Sequence, residues 1–489
     1  MKQKGISIVF VLIFGAVFIT TLAGFIGLIA FRYQQASKYS SSIKALHIAE
    51  AGINYYKWRL IQDENDVQDG HDWCCTEPPC SICGPYEHDY YDPQGRKQGQ
   101  FILEIEKQEI CGQVLGIYVS STGVLDKFPD VERKVKAKFA ATSIADYAYI
   151  LNDSVWAGED RNIFGRYHSN GGIRMDGTHN SLVSSASSEW LCTSSFGCDW
   201  RNCPFDCYRD GSACRCPGVF GDGSSQDLWW YPALPFDFAG ITSDLANIKT
   251  LSQSIGKYYP PSVDLNPMGR GYHVIFNPDG TFDIRIITGL SAKRAYDTEK
   301  GWYWFSETIS SEVNYEIGVS LGSACQLLFV EDNIWVEGVV SGRKTLASAN
   351  LINPTVDTTA IINGDLEYTS LDGTDSLAVI AEQDIYIPLY SPDDMIVRGV
   401  FVAQKGHFGR NHYSCFSYPS DCKKDSLTIY GSIVSYGRVG TQWVYSSGSL
   451  ASGYAERFNY FDEKLSRDPP PLLPYVSNAL EVISWEEIQ

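Results

Sequence analysis

Residues 6–31 contain no Asp, Glu, Lys, Arg or His, and their only side-chain hydroxyls are those of Ser7, Thr20 and Thr21. About 20 such residues suffice for a helix to cross a bilayer, so this stretch sets the frame for the rest of the chain. Lys2 and Lys4 precede it, but Arg32 and Lys38 follow it, so charge bias orients it only weakly. Three uses fit the run. A secretory signal could be cut near Thr21-Leu22-Ala23, although the apolar stretch continues past that point. A plain membrane anchor fits the hydropathy. Cleavage after Gly5 would instead leave Ile6 as the tip of an apolar helix.

Apolar or small residues then recur at Ile43, Leu46, Ala49, Ile53, Tyr56 and Leu60, while Lys44, His47, Asn54 and Lys57 fall on other faces. This spacing of three or four predicts that one helix continues from the apolar run to residue 60, roughly 80 Å at 1.5 Å per residue. On Lys4-Gly5, the apolar run and Ala49-Glu50-Ala51-Gly52 followed by Ile53, the N-terminal sixty residues resemble the PilX-type minor pilins and the K-type minor pseudopilins of type II secretion. The resemblance implies cleavage by a prepilin peptidase between Gly5 and Ile6, N-methylation of Ile6, and assembly with other pilin subunits through the helix. Phe10 stands where most major pilins carry a Glu, a departure shared with K-type pseudopilins that implies a place at a fibre tip.

The chain has 489 residues, enough for two or three domains, and a net charge of -19 that argues against a nucleic acid partner. Its 14 cysteines all lie beyond the apolar run. Cys74, Cys75, Cys80 and Cys83 form one cluster; Cys192, Cys198, Cys203, Cys207, Cys214 and Cys216 a second; Cys415 and Cys422 a third; Cys111 and Cys325 stand singly. Zinc is the rival to disulfides, because Cys80 and Cys83 have ligand spacing, but no second pair follows at zinc-finger distance. The clustered cysteines are therefore disulfide candidates, which places the body in an oxidising, extracytoplasmic compartment with the N-terminus inside. The expected localisation is a single-pass cytoplasmic membrane protein, reaching the pilus or cell surface after assembly.

Five regions are expected: a leader over 1–5, the transmembrane and pilin-like helix over 6–60, a disulfide-stapled loop and small antiparallel sheet over 61–145, a β-rich body over 146–460, and a Pro-rich tail over 461–489. Residues 61–93 read as the loop, and 100–107, 115–122 and 131–140 alternate as strands. In the body, Gly338, Gly364, Gly399 and Gly431 adjoin apolar strands at intervals of roughly 30 residues, as when each repeat is one turn of a solenoid. The expected fold is mainly β with a long N-terminal helix, its body a right-handed β-helix; a β-sandwich is the alternative. A Cys-rich insertion (184–239) and a helix plus hairpin (240–321) interrupt the repeats. Residues 461–475, with Pro469, Pro470 and Pro471, predict an extended polyproline II segment.

Chemistry is sparse. Asp384, Asp393, Asp394 and Arg398, or Asp153, Glu159, Asp160 and Arg161, could serve a polysaccharide-active β-helix enzyme, but neither set has diagnostic spacing. His168, His179, His407 and His412 read as turn or surface residues. No nucleotide, hydrolase or zinc-protease motif occurs. No catalytic residue, metal or cofactor is assigned, with calcium left open in Asp/Asn/Gly loops such as 277–280 and 372–375. The functional expectation is a tip-located minor pilin or pseudopilin that displays a large extracellular domain and serves pilus assembly and surface adhesion. The alternatives are a membrane-anchored adhesin or carbohydrate-binding protein outside any fibre, with a surface glycan or cell-surface ligand, and the β-helix enzyme.

Overall fold

The computed structural model describes residues 4–63, 66–74, 81–238, 245–322, 325–353, 355–445 and 447–488. The chain is mainly β with one long N-terminal helix, and it divides into two units. One comprises Met1–Gln108, Gly116–Ala140 and Ala479–Gln489; the other comprises Glu109–Leu115 and Ala141–Asn478.

In the first unit, helix α1 (Lys4–Gln62) runs without a break. Four strands follow as a meander, β1 (Cys83–Tyr91), β2 (Lys97–Ile110), β3 (Gln113–Leu125) and β4 (Phe128–Ser143). The buried stripe of α1 is Ala45, Ile48, Ala49, Ile53, Tyr56 and Leu60, at the helical spacing that places residues on one face. Gly52 faces Phe101 and Tyr56 packs on Phe139; these two phenylalanines, with Leu103, Val119 and Val135, alternate along the strands and are likewise buried. Ile43, expected on this face, is exposed.

Two local readings differ from the structure. Strand β1 occupies the end of the segment expected to be a stapled loop; its Asp, His and Tyr residues obscure the alternation, and Cys83 is joined to Cys74. The region expected to be a Pro-rich tail is also more ordered. Asp462 caps a short helix, Glu463–Arg467, by accepting from the Lys464 N–H, and the prolines follow where a helix cannot continue. Tyr475–Ile488 is then a 14-residue strand beside β4, where it covers what would be an open sheet edge.

In the second unit, successive strands stack in parallel and in register. One ladder runs Leu328, Leu346, Val379, Phe401, Ile433, Tyr149, Tyr167, Val183, each opposite the next. All eight are buried in one apolar core. The alternate residues Phe329, Ala347, Ile380, Val402, Val434 and Ile150 point the other way and are covered by Leu245 and Ile248 of a helix and by Leu465 and Leu473. Both faces are thus apolar, which explains why these strands read as continuous hydrophobic runs rather than alternating ones.

The stacking order is not the chain order. Residues 147–151 pair with the end of Lys423–Ser435, so the first strands of the body continue the stack beyond the later ones. Segments 184–239 and 240–321 are consequently not pure insertions: Trp229 pairs with Val183, Lys257–Tyr259 pairs with residues 328–330, and Tyr272–Phe276 pairs with residues 334–338, all in parallel. Among the four repeat glycines, Gly399 stacks on Gly431 and both have positive φ, whereas Gly364 falls at a register shift.

Within the cysteine-rich segment, three short antiparallel strands are joined by Cys192–Cys198, Cys203–Cys214 and Cys207–Cys216. Cys415 pairs with Cys422, and the two cysteines that stood singly in the sequence, Cys111 and Cys325, pair with each other. Cys75 and Cys80 lie outside the described residues.

The longest antiparallel pair is a hairpin of Thr281–Asp297 and Gly301–Ser320. The sequence predicted instead the hairpin that leads into it, over 272–288 with its turn at 277–280, and Tyr272–Phe276 does pair antiparallel with residues 282–286. Its inward residues Ile287, Leu290, Phe305 and Ile309 cover Trp335, Ile361 and Tyr386 on the flank of the parallel stack.

Candidate functional site

The processing and assembly residues predicted from sequence all lie on α1. The first half of this helix is long and apolar enough to cross a membrane, and its side chains are bare: Ile8 is 63% exposed, Leu12 67% and Phe25 67%. Gly5 and Ile6 lie in its first turns. Phe10 is exposed and stacks on Phe14, one more apolar ring on an apolar surface.

The four residues 49–52 divide between two roles. Ala49 and Gly52 face the sheet, whereas Glu50 turns outward to His47, 3.2 Å away, and Ala51 is half-buried. A Cβ on Gly52 would sit 2.2 Å from the Ser121 hydroxyl, and one on Gly123 of β3 would sit 2.1 Å from the Ala45 carbonyl. Two glycines facing each other's element therefore set a close helix–sheet approach. Near the helix end, Arg59 pairs with Asp66 at 2.5 Å, and Asp66 also accepts the N–H groups of Gln68 and Gly70. Burial acts to raise the Asp66 pKa, but these backbone N–H groups and Arg59 outweigh it and hold the carboxyl below its ordinary value. His88 bonds the fully buried carboxylate of Asp69 at 2.5 Å.

The carboxylates weighed as catalytic are drawn to separate partners. Asp393 binds Lys424 at 2.8 Å, Asp394 accepts from Ser426, and Arg398 lies over the Tyr430 ring at 4.0 Å. Asp160 pairs with Arg457, while the buried Arg161 donates to Tyr149 and Asn459. Asp153 accepts from the Ser154 N–H. His168 is held by Ser184 and Asn170, and His179 accepts from the Trp229 indole. Among the described residues no cluster of three His, Cys, Asp or Glu is arranged for a metal. In the loops considered for calcium, Asp279 and Asp372 accept from the backbone and hydroxyl of Thr281 and Thr374.

Asp384 belongs to a cluster that sequence reasoning missed. His407 lies between Asp384, at 3.1 Å, and Asp297, at 3.2 Å, and Lys300 reaches Asp384 from the hairpin turn at 3.2 Å. Burial alone would lower the His407 pKa, but the two carboxylates reverse this and raise it to about 9. Asp297 is likewise drawn down to about 2 despite its burial, by His407 and by the N–H groups of Glu299 and Lys300. Midway along the hairpin, the wholly buried Glu307 is pushed up to about 7 by burial, against the opposing effect of the Tyr413 hydroxyl. Asp297 and Asp384 are 87 residues apart in sequence, so only the tertiary fold joins them.

No protein family profile matches this chain, and no curated protein matches it. Among solved structures, the competence-associated pilin ComZ from Thermus thermophilus is similar over 92% of this chain and 97% of that one, at 14% identity and a TM-score of 0.29.

Proposed function

We propose that this chain is a minor type IV pilin or pseudopilin that carries a large extracytoplasmic body at or near a fibre tip. The observation that carries the reading is the single helix α1: bare and apolar over its first half, then packed by Ala49, Gly52, Ile53 and Tyr56 on an antiparallel sheet over its second. A simple anchor needs only the first half. Continuity into a sheet-packed second half rigidly couples a membrane segment to a folded domain, as a fibre subunit requires. The apolar surface would lie in the membrane before assembly and against other pilin helices afterwards. Prepilin peptidase would cut between Gly5 and Ile6, with methylation of Ile6. Phe10 leaves the subunit without a carboxylate for a neighbour's N-terminal amine, which favours a terminal place.

The body is read as a β-solenoid. Support comes from the in-register parallel ladders, since sandwiches are built mainly from antiparallel strands. Six disulfides among the described residues suit an oxidising compartment and hence an N-terminus inside. Display of such a body also suits surface adhesion. Mass spectrometry of the N-terminus tests the reading: methylated Ile6 and co-purification with other pilins are expected. An intact Met1, with the chain alone in the membrane, would favour the plain anchor.

A further inference from the structure

The inward face of the long hairpin is accounted for by packing on the parallel stack. Its outward face near the turn is not. Trp304 is 69% exposed and Trp302 48% exposed, two residues apart on one strand and hence on the same face, about 7 Å from each other along it. Opposite them in register stand Arg294, facing Trp304, and Tyr296, facing Trp302. Exposed tryptophans on a sheet face forgo a large burial gain unless a ligand covers them.

Three features say what would cover them. First, the surface continues from the rings to Ser306 and Ser310, both exposed, so indole faces adjoin hydroxyls. Such a mixture matches a sugar ring, whose C–H face stacks on an aromatic ring while its rim offers hydroxyls for hydrogen bonding. Second, Arg294 has no carboxylate partner among the described residues, although the chain carries 58 acidic against 39 basic residues. Its guanidinium lies 5.2 Å from the centre of the Trp302 ring, a stacked placement that leaves its edge N–H groups able to take a carboxylate in a forked pair.

Third, the platform is held rigid. Tyr296, His412 and Trp443 pack edge-to-face at 5.6–6.5 Å, and Trp302 meets His412 at 5.5 Å. The Trp443 indole donates to the Arg410 carbonyl, and Tyr296 pairs with His412 across the strands. The ion cluster of Asp297, His407, Asp384 and Lys300 fixes the turn just beyond. A preformed surface loses little conformational entropy on binding.

We propose that Trp302, Trp304, Tyr296 and Arg294 form a binding platform for an acidic glycan, with sugar rings stacked on the indoles and a sugar carboxylate paired with Arg294. This assignment rests on the reading that the body is displayed outside the cell, and it names the ligand class for that display.

The test uses the full-length chain in detergent, titrated with polygalacturonate, alginate, hyaluronate and polysialic acid, each beside its carboxyl-reduced neutral form. At least one acidic polymer should bind about tenfold or more tightly than its neutral form. Trp304→Ala should weaken that binding about tenfold or more, and Arg294→Gln should bring the acidic and neutral forms to within about twofold of each other. Trp230→Ala removes an equally exposed tryptophan away from the hairpin and should leave binding unchanged. No binding by any of the four polymers, or wild-type binding by both Trp304→Ala and Arg294→Gln, overturns the proposal. A chain that retains Met1 yet binds in a Trp304-dependent way upholds the platform and overturns only the fibre reading; a processed, assembled chain that binds none of the four overturns only the platform.

Discussion

The Tyr413 hydroxyl donates to the Glu307 carboxylate at 2.5 Å, and neither residue is exposed. The other Glu307 oxygen accepts the Leu389 N–H, so the carboxyl joins the middle of the long hairpin to the flank beneath it. Its pKa of about 7, raised by burial, exceeds the ordinary glutamate value of about 4.3, so the folded state holds a proton that the unfolded chain has already released. The stability from this site is therefore full below about pH 4.3 and is lost as pH rises through about 7. Glu307→Gln mimics the protonated form. Denaturant unfolding should show the variant gaining on wild type by up to about 1.4 kcal/mol per pH unit between those limits, levelling off above pH 7. A difference independent of pH would reject the assignment.

His407 has the same sign at a higher pH. Its pKa is raised to about 9 by Asp297 and Asp384, so its contribution is complete below the unfolded value of about 6.5 and is lost as pH rises through 9. His407→Ala leaves the buried Asp297 and Asp384 carboxylates facing each other with only Lys300, on Asp384, to offset them, and should cost about 3 kcal/mol at pH 6, and much less at pH 10. Hydrogen exchange at residues 297–301 reads the effect locally, because Asp297 and Lys300 hold the turn to this cluster. Equal protection in variant and wild type at pH 6 would contradict it.

What the sequence made legible follows the range of the interactions. The helix and its buried stripe at Ala49, Ile53, Tyr56 and Leu60 rest on contacts a few residues apart, so periodicity revealed them. The hairpin over 272–288 was legible from its turn at 277–280, but the longer one it leads into was not, because bulges around Gly289 and Ser291 break the alternation of its strands. The placement of Tyr149 beside Ile433 and the union of Cys111 with Cys325 leave no local trace. The same holds for the cluster around His407 and for the exposed Trp302 and Trp304, whose alternation with Tyr303 and Phe305 does not say which face is covered. The C-terminal strand was hidden by the prolines that precede it.

The Cys111–Cys325 disulfide closes the longest covalent loop among the described bridges, with a sequence separation of 214. Restricting so long a loop in the unfolded chain is worth up to about 5 kcal/mol on chain-entropy grounds, against about 2 for short loops such as Cys192–Cys198. Replacing both Cys111 and Cys325 by Ser should therefore lower the unfolding transition of the second unit more than replacing both Cys192 and Cys198. Differential scanning calorimetry of the two double variants decides the order, and the reverse ranking would show that the long loop is already restrained in the unfolded state.

Gly52 and Gly123 face the same helix–sheet approach but differ in what a methyl group would meet. At Gly52 the nearest atom is the Ser121 hydroxyl, a side-chain tip that can rotate away, with the Phe101 ring next at 2.9 Å. At Gly123 the obstacles are the Ala45 carbonyl at 2.1 Å and the Ala49 nitrogen at 2.5 Å, both backbone atoms of α1. Gly123→Ala must push the helix off the sheet and should cost about 3 kcal/mol, whereas Gly52→Ala, which also gains helix propensity, should cost about 1. Limited proteolysis across residues 45–60 should show the first variant cut sooner than the second. If the fibre reading holds, Gly123→Ala should also reduce incorporation of the chain into fibres while leaving N-terminal processing intact, because the cleavage site and the apolar half of α1 are untouched. Equal cleavage of both variants would mean that the helix can shift on the sheet without loss.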